Sequence, residues 1–596
     1  MSRQTPSSFW ASKDLIPVAQ KKISVPAEFG LNYSAGQKVQ ITIPSSIDFF
    51  QPKETYLKFE VEISGAATGT RRMFLDAETG GQVLIRDLRI YSGGAGRILL
   101  EEYQNYNVLA ALKYDYETND NYKKKRALTE GAQLYDAATR STHGGKKSQA
   151  QNCRANPFFK NPGVSLTSDT TAHDDDVRDK VKCLLPLNTG IFQSDRVFPT
   201  MLTEGLIIEI MLEENTNVFR QLDTTLGFRD VTQNPFFLST DGSACDTTGS
   251  LGADAATQVL FLRRDNQQGT GGVVGNCPFV VGQKIVLLSI DDPSVILADT
   301  AGGAGAGATI SAIEYVTGPT PDCIKITTTE DLVASGDGVD INGAVVAQDP
   351  RTSTYKPTYL ITNTELVVQQ VQMPDGFKSR MMGMLKEGGT LNYDFLSHTN
   401  YKYSQLAGDT VANIRLPVHE SRAKSVFMIP TDATSYPKEQ AMNACGTYMI
   451  EYTSDQTGPN VAAIHSTRSG LVGIADRLRD YQILYDGKLN PTRPVPCSLI
   501  SDRVSIEQQP LIELEKALAM GGIHPLSFAK FRENFCIGRA LSLQDGVVDL
   551  RGRDFSLQVQ YDDPIVGYAA KNKLWHNWVA HLRRIVVKGD SISIEI

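Results

Sequence analysis

The sequence predicts an all-β protein made of sandwich or barrel domains, at least two of them. Three observations carry this. Apolar residues recur with period two in many short segments, turn-forming Gly, Pro, Asn and Asp separate the segments, and the same grammar runs through both halves of the chain. At 596 residues the chain is well past the roughly 250–300 at which a single hydrophobic core stops growing. Hydrophobic residues make up 41% and charged residues 21%, enough apolar material for packed cores. No alternation of strands with crossover helices is visible, which argues against a parallel sheet.

The segments justify the class in turn. Val39, Ile41 and Ile43 face one way, with Lys38, Gln40 and Thr42 opposite. In TYLKFEVEI, Leu57, Phe59, Val61 and Ile63 form one face and Lys58, Glu60 and Glu62 the other, the signature of an antiparallel strand wet on one side. QVLIRDLRIY (82–91) closes on the turn signal SGGAG, and GLIIEIMLE puts Leu206, Ile208, Ile210 and Leu212 on one face. TYLITNTELVVQQV (358–371) is strand-rich. After about residue 390 the pattern restarts with ANIRLPV, SVFMIP and DYQILYDGK. DFSLQVQY points Phe555, Leu557, Val559 and Tyr561 inward, and SISIEI lines up Ile592, Ile594 and Ile596.

Three stretches read as helices. RILLEEYQNYNVLAALKYDY (97–116) has Leu99, Tyr103, Tyr106 and Leu109 at helical spacing. QPLIELEKALAMGG begins with Pro510 near its first turn, carries Leu511, Leu514 and Leu518 as a stripe, and stops at Gly521 and Gly522. KNKLWHNWVAHLRR places Leu574, Trp578 and Leu582 four apart. All three stripes are expected to pack on a sheet. Between about 216 and 355 the composition turns to Gly, Ala, Thr and Asp around a small β pattern, PFVVGQKIVLLSI, ATISAIEYV and CIKITTTEDL. This predicts a long loop insertion with its own β unit, since loops of such length are rarely structureless.

Charge and cysteine usage exclude some function classes. The net charge is −8, the wrong sign for a chain that wraps nucleic acid, because phosphate binding wants a basic face. Cys153, Cys183, Cys245, Cys277, Cys323, Cys445, Cys497 and Cys536 are widely spaced with no C-x-x-C pair, which fits free thiols better than a disulfide framework. The N-terminus has no long apolar run, and no window approaches the ~20 apolar residues of a membrane span. The sequon at Asn32 then reads as chance.

No catalytic fingerprint emerges. GGAGAGA (302–308) lacks the Lys-Ser/Thr of a phosphate-binding loop. His173 beside Asp174, Asp175 and Asp176 reads as a solvated acidic loop before a cation site. There is no H-x-H of a cupin metal site, no H-E-x-x-H and no G-x-S-x-G. A carboxylate pair for glycoside hydrolysis depends on a separation in space that sequence does not display. The expectation is no enzyme, no cofactor and no metal.

The strings ITIPSSIDFFQPKETYLKFEVEI and LPLNTGIFQSDRVFPTMLTEGLIIEIML resemble the first jelly roll of double jelly-roll major capsid proteins of eukaryotic double-stranded DNA viruses. TYLITNTELVVQQVQMPDGF looks like its closing strand. ILYDGKLNPTRPVP, FCIGRALSLQDGVVDLRGRDFSLQVQY and LRRIVVKGDSISIEI look like the second roll. The resemblance leans to the polinton-like virus and virophage branch and covers roughly 30–215 and 355–596.

It implies two tandem eight-stranded antiparallel jelly rolls: an N-terminal arm over 1–29, a first roll over 30–372 carrying the insertion as an outer tower, and a second roll over 373–596. It also implies a homotrimeric, pseudo-hexagonal capsomer that tiles an icosahedral shell in the virion, assembled inside the host cell, with penton and minor or cement proteins as further partners and no sequence-specific nucleic-acid contact. Phe9 and Trp10 stand out in the polar arm, either as a frayed terminus or as an apolar anchor on a neighbouring chain. The alternative function is a vertex spike or a receptor- or glycan-binding β-sandwich.

Overall fold

The structure is a computed structural model. It describes residues 19–64, 73–118, 129–132, 180–214, 358–433, 471–497, 508–561 and 572–595, apart from a few positions within those spans. It also describes short segments at 125–126, 158–159, 177–178, 218–221, 250–251, 257–263, 284–289, 296–300, 307–316, 323–334, 339–340, 344–348, 447–450 and 462–465.

The first eight principal strands are β1 (Ala19–Pro26), β2 (Lys38–Ile43), β3 (Tyr56–Ser64), β4 (Ile85–Ser92), β5 (Leu99–Gln104), β6 (Val181–Pro186), β7 (Leu206–Leu212) and β8 (Thr358–Gln372). They form two sheets, in the order β1-β8-β3-β6 and β2-β7-β4-β5. Eight more follow: β9 (Thr390–Gln405), β10 (Val411–Leu416), β11 (Ala423–Asp432), β12 (Leu478–Tyr485), β13 (Lys488–Pro496), β14 (Ile537–Ala540), β15 (Phe555–Tyr561) and β16 (Lys573–Lys588). Their sheets run β9-β16-β11-β14 and β10-β15-β12-β13. Each strand of the second set holds the place of the strand eight earlier in the first. All these pairings are antiparallel. Two four-stranded sheets joined in this crossed order are a jelly roll. The chain is a double jelly roll.

The period-two segments fold as their patterns predict, because the apolar face of each meets a core. Val39, Ile41, Ile43, Leu57, Phe59 and Val61 are buried, as are Leu206, Ile208, Ile210 and Leu212 and, in the second roll, Phe555, Leu557, Val559 and Tyr561. Turn chemistry agrees. Between β12 and β13, Asp486 and Gly487 both take positive φ, 51° and 73°, as a two-residue hairpin turn of the primed type requires. A short last strand, β17 (Ser591–Glu595), pairs with the end of β16.

Three sequence expectations need correction. Ala19–Pro26, assigned to the arm, is strand β1, paired residue for residue with the end of β8; Ile23 and Val25 pack against the core. The stretch 97–116 is only half helical. Leu99–Gln104 is strand β5, and helix α1 starts at Tyr106 and runs to Glu117, with the break at Asn105 in the left-handed conformation, φ 56°. KNKLWHNWVAHLRR is no helix at all. From Lys573 onward it is part of β16, which pairs with β9 along all 16 of its residues and with β11 on its other side. Trp575 through Ala580 are all buried, so the in-out alternation that marks a strand is missing there.

The predicted helix at 508–520 is present as α3 (Gln508–Met520), with Leu514 and Leu518 buried and Gly522 at φ 75° just beyond its end. A linker helix, α2 (Asp375–Lys386), joins the rolls. Its Phe377 ring stands 5.8 Å from Phe49, and Lys378 pairs with Asp48. In the insertion, strands between Thr257 and Gln348 form a six-stranded sheet. Leu260, Ile285, Leu287, Ile310 and Ile326 are buried on it, apart from the apolar cluster that runs through both rolls.

Candidate functional site: the seam between the two rolls

The edge strand β5 of the first roll meets the edge strand β9 of the second. Two uncovered sheet edges are a liability in any β protein; here each shields the other. Asn400 on β9 donates from Nδ2 to the Gln104 carbonyl at 3.1 Å, and the Tyr103 ring lies 6.4 Å from Trp578 and 6.2 Å from His398.

At the middle of the seam sits Glu101, fully buried. Its Oε1 accepts from the Tyr103 hydroxyl at 2.7 Å, the Gly190 N–H at 2.7 Å and the Ser397 hydroxyl at 3.0 Å, and its Oε2 accepts from the Ile191 N–H at 3.1 Å. Donors therefore arrive from β5, from the loop after β6 and from β9 of the other roll. Burial pushes the Glu101 carboxyl up from its ordinary value; the donors and the Arg583 guanidinium work against that. Gly190 is needed for the approach. A Cβ there would stand 2.1 Å from the Leu396 carbonyl oxygen of the second roll.

Two further clusters flank this centre. On one side Phe198 packs edge-on to Tyr393 at 5.2 Å, and the Tyr393 hydroxyl donates to the Arg196 carbonyl at 3.2 Å. On the other the end of α1 grips the second roll. Tyr116 donates to the Asn534 carbonyl at 3.0 Å, Asn534 Nδ2 donates to Asp115 at 2.7 Å, and the Leu526 N–H donates to the Tyr116 carbonyl at 2.7 Å. Asn534 Oδ1 in turn accepts from the Gly473 N–H at 2.8 Å, so one asparagine ties α1 to two segments of the second roll.

Three histidines line or adjoin the seam. His398 Nε2 meets the Gly521 carbonyl at 2.8 Å, His581 Nε2 meets the Thr399 hydroxyl at 2.9 Å, and His576 Nδ1 meets the Asn400 amide at 3.1 Å. Burial holds His398 down to about 4 and His576 and His581 down to about 3, with Lys113, Lys402 and Arg583 respectively adding repulsion. They are neutral packing groups near pH 7.

This is structural chemistry. Every oxygen of Glu101 is committed to a donor. Among the described residues no group of three or more His, Cys, Asp or Glu is placed to hold a metal ion, and no helix is long and apolar enough to cross a membrane. Cys183, Cys497 and Cys536 are free and buried, and burial raises their thiols. Phe9 and Trp10, His173 with its aspartates, and most of GGAGAGA lie outside the described residues. The sequence reading missed Glu101 and Gly190. The one available signal was an acidic residue inside an apolar run, and its partners are far away in the chain.

No family model matches the chain, and no curated protein does. Solved structures are similar to it along nearly its whole length. The Faustovirus major capsid protein shares 9% identity, with 97% of this chain and 92% of that one covered, at a TM-score of 0.46. PBCV-1 VP54, fitted into a reconstruction of the virophage Sputnik, shares 10%, with 97% and 96% covered, at 0.44. The mavirus major capsid protein shares 8%, with 100% and 95% covered, at 0.34.

Proposed function

We propose that the chain is the major capsid protein of a double-stranded DNA virus, and that three copies form a pseudo-hexagonal capsomer that tiles an icosahedral shell. The observation that carries this is the repeat: two rolls of one strand order, locked along a single seam by Glu101 and its donors. A threefold axis acting on such a body generates six similar pillars, and rotation closes the heterologous contacts into a finite unit. The division of the chain near residue 373 into two pillars, with the insertion as an outward tower, belongs to the same proposal.

The uncovered surface fits. Strand β10 is an edge strand whose pattern leaves every second residue exposed, and Val411 on it and Leu406 just before it are 59% and 71% exposed. Neighbouring copies would cover such an edge, as obligate interfaces of roughly 2,000–5,000 Å² do. Contacts between capsomers, and with penton and minor proteins, can then each be weak, because multivalency multiplies them. Light scattering on the purified protein tests the reading. It predicts a particle of three times the 65.3 kDa chain mass that survives dilution; a lasting monomer contradicts it.

A further inference from the structure

Strand β17 leaves an edge of the second roll open. It turns back on β16 across Gly589 and Asp590, in the register Lys588–Ser591, Val587–Ile592, Val586–Ser593, Ile585–Ile594 and Arg584–Glu595. Among the described residues no strand pairs with its far side. Other edges are guarded: β1 carries the exposed Lys21 and Lys22, β13 carries three prolines, and α3 packs on β14. Strand β17 has no proline, no lysine and no break in register. We propose that it pairs with β17 of a second copy, antiparallel, about a twofold axis at Ser593, and that, on the capsid reading above, this contact joins one capsomer to the next.

The backbone sets the register. In an antiparallel ladder, opposite residues alternate between hydrogen-bonded and non-bonded pairs, and the pair that closes a two-residue loop is a bonded one. Ser591, Ser593 and Glu595 therefore direct their N–H and C=O groups at β16, and those of Ile592 and Ile594 point to the open edge. Every one of these free groups finds a partner when Ile592 of one copy stands opposite the partner's Ile594, and the reverse. Ser593 then faces its own copy across the axis as a non-bonded pair.

The side chains agree with that register. On the core face the order across the joined sheet is Val587, Ile592, the partner's Ile594 and the partner's Ile585, an unbroken apolar row. Ile592 and Ile594 are only partly buried in the single chain, so the contact takes apolar surface out of water. On the outer face the order is Lys588, Ser591, the partner's Glu595 and the partner's Arg584. Lys588 is exposed, and its ammonium reaches the partner's Glu595 over the short Ser591, across two strand spacings of about 4.8 Å each. Symmetry makes each of these contacts twice. A twofold contact cannot close a threefold ring, so it serves to link one ring to the next.

Cysteines on the exposed face of β17 test this in concentrated full-length protein. A non-bonded antiparallel pair brings its Cα atoms to about 4.5 Å, within disulfide reach, so Ser593→Cys should link two chains on mild oxidation. Ser591→Cys lies two residues from the axis, where the two copies stand about 14 Å apart, and should link roughly ten-fold or more slowly. Ser591→Cys mixed with Glu595→Cys puts cysteines opposite each other and should link about as fast as Ser593→Cys. The parent chain with its native cysteines is the background. The proposal is overturned if Ser593→Cys gives no two-chain product above that background, if Ser591→Cys alone links as fast, or if the mixture links no faster than Ser591→Cys alone. Light scattering of Ser593→Lys reports the capsomer separately. Three chains are expected, because the axis lies outside the ring; a monomer there counts against the capsid reading, while the cross-links still decide the pairing.

Discussion

Replacing Glu101 by Ala should uncouple the two rolls. In the wild type its carboxylate is the acceptor for Tyr103, Gly190, Ile191 and Ser397. The Gly190 N–H keeps a second acceptor, the Tyr103 hydroxyl at 3.0 Å, so three donors are orphaned. Each buried donor left unpaired costs about 1–3 kcal/mol, and water entering the space left by the side chain recovers part of that. The expected loss is about 3–5 kcal/mol. Trp575 and Trp578 are fully buried in the second roll, so their emission follows that roll during guanidinium unfolding, while far-ultraviolet circular dichroism follows the whole chain. Glu101→Ala should lower the midpoint and separate the two signals. Glu101→Gln, which keeps one acceptor oxygen, should lose about 1–3 kcal/mol. A change below about 1 kcal/mol for Glu101→Ala, with the two signals still coincident, would refute the idea that this carboxylate holds the seam.

Other perturbations probe the same architecture. Gly190→Ala forces a methyl against the Leu396 carbonyl and should cost more than 1–3 kcal/mol, roughly the penalty of overpacking, read as a lowered unfolding midpoint. Asn534→Ala removes the bridge between Asp115 and Gly473 and should cost about 2–4 kcal/mol by the same assay. Stability should also fall with acid. His398, His576 and His581 are held at about 4, 3 and 3 against an ordinary 6.5, so the unfolded chain binds more protons between about pH 4 and 6.5. The loss on lowering pH through that window is up to about 1.4 kcal/mol per unit for each histidine. Glu101, raised by burial, acts with the opposite sign, one group against three. Urea midpoints between pH 4 and 7 should therefore drop with pH, and less so after all three histidines are changed to Gln. Leu406→Asp with Val411→Asp should shift the oligomer toward monomer by sedimentation, because a buried charge would replace apolar contact.

How much of this was legible in the sequence follows from which faces are wet. Strands β3 and β15 have one side in the core and the other partly open to solvent, and β2 and β7 keep apolar residues at every second position although Gln40 and Ile207 on their other side are buried too, so their alternation could be read directly. Helix α3 was legible from Pro510, its leucine stripe and the two glycines that end it. Strand β16 was not, because both of its sides are covered in its middle: Trp575 donates to Gln405 within the second roll at 2.8 Å, while Trp578 meets Tyr103 of the first. Losing the wet face erases the period-two signal, and spacings of four then pass for a helix. Strand β5 was hidden for a related reason, since Leu100, Glu101 and Tyr103 are all buried. The seam itself was invisible. Glu101 finds its donors at positions 190, 191 and 397, and only the folded chain brings those together.

Electron cryomicroscopy of the isolated oligomer measures the central claim most directly. Six upright sandwich densities around a threefold axis, paired by a seam in each subunit, are the predicted result. A single copy, or a ring in which the two rolls of one chain stand apart, would contradict it.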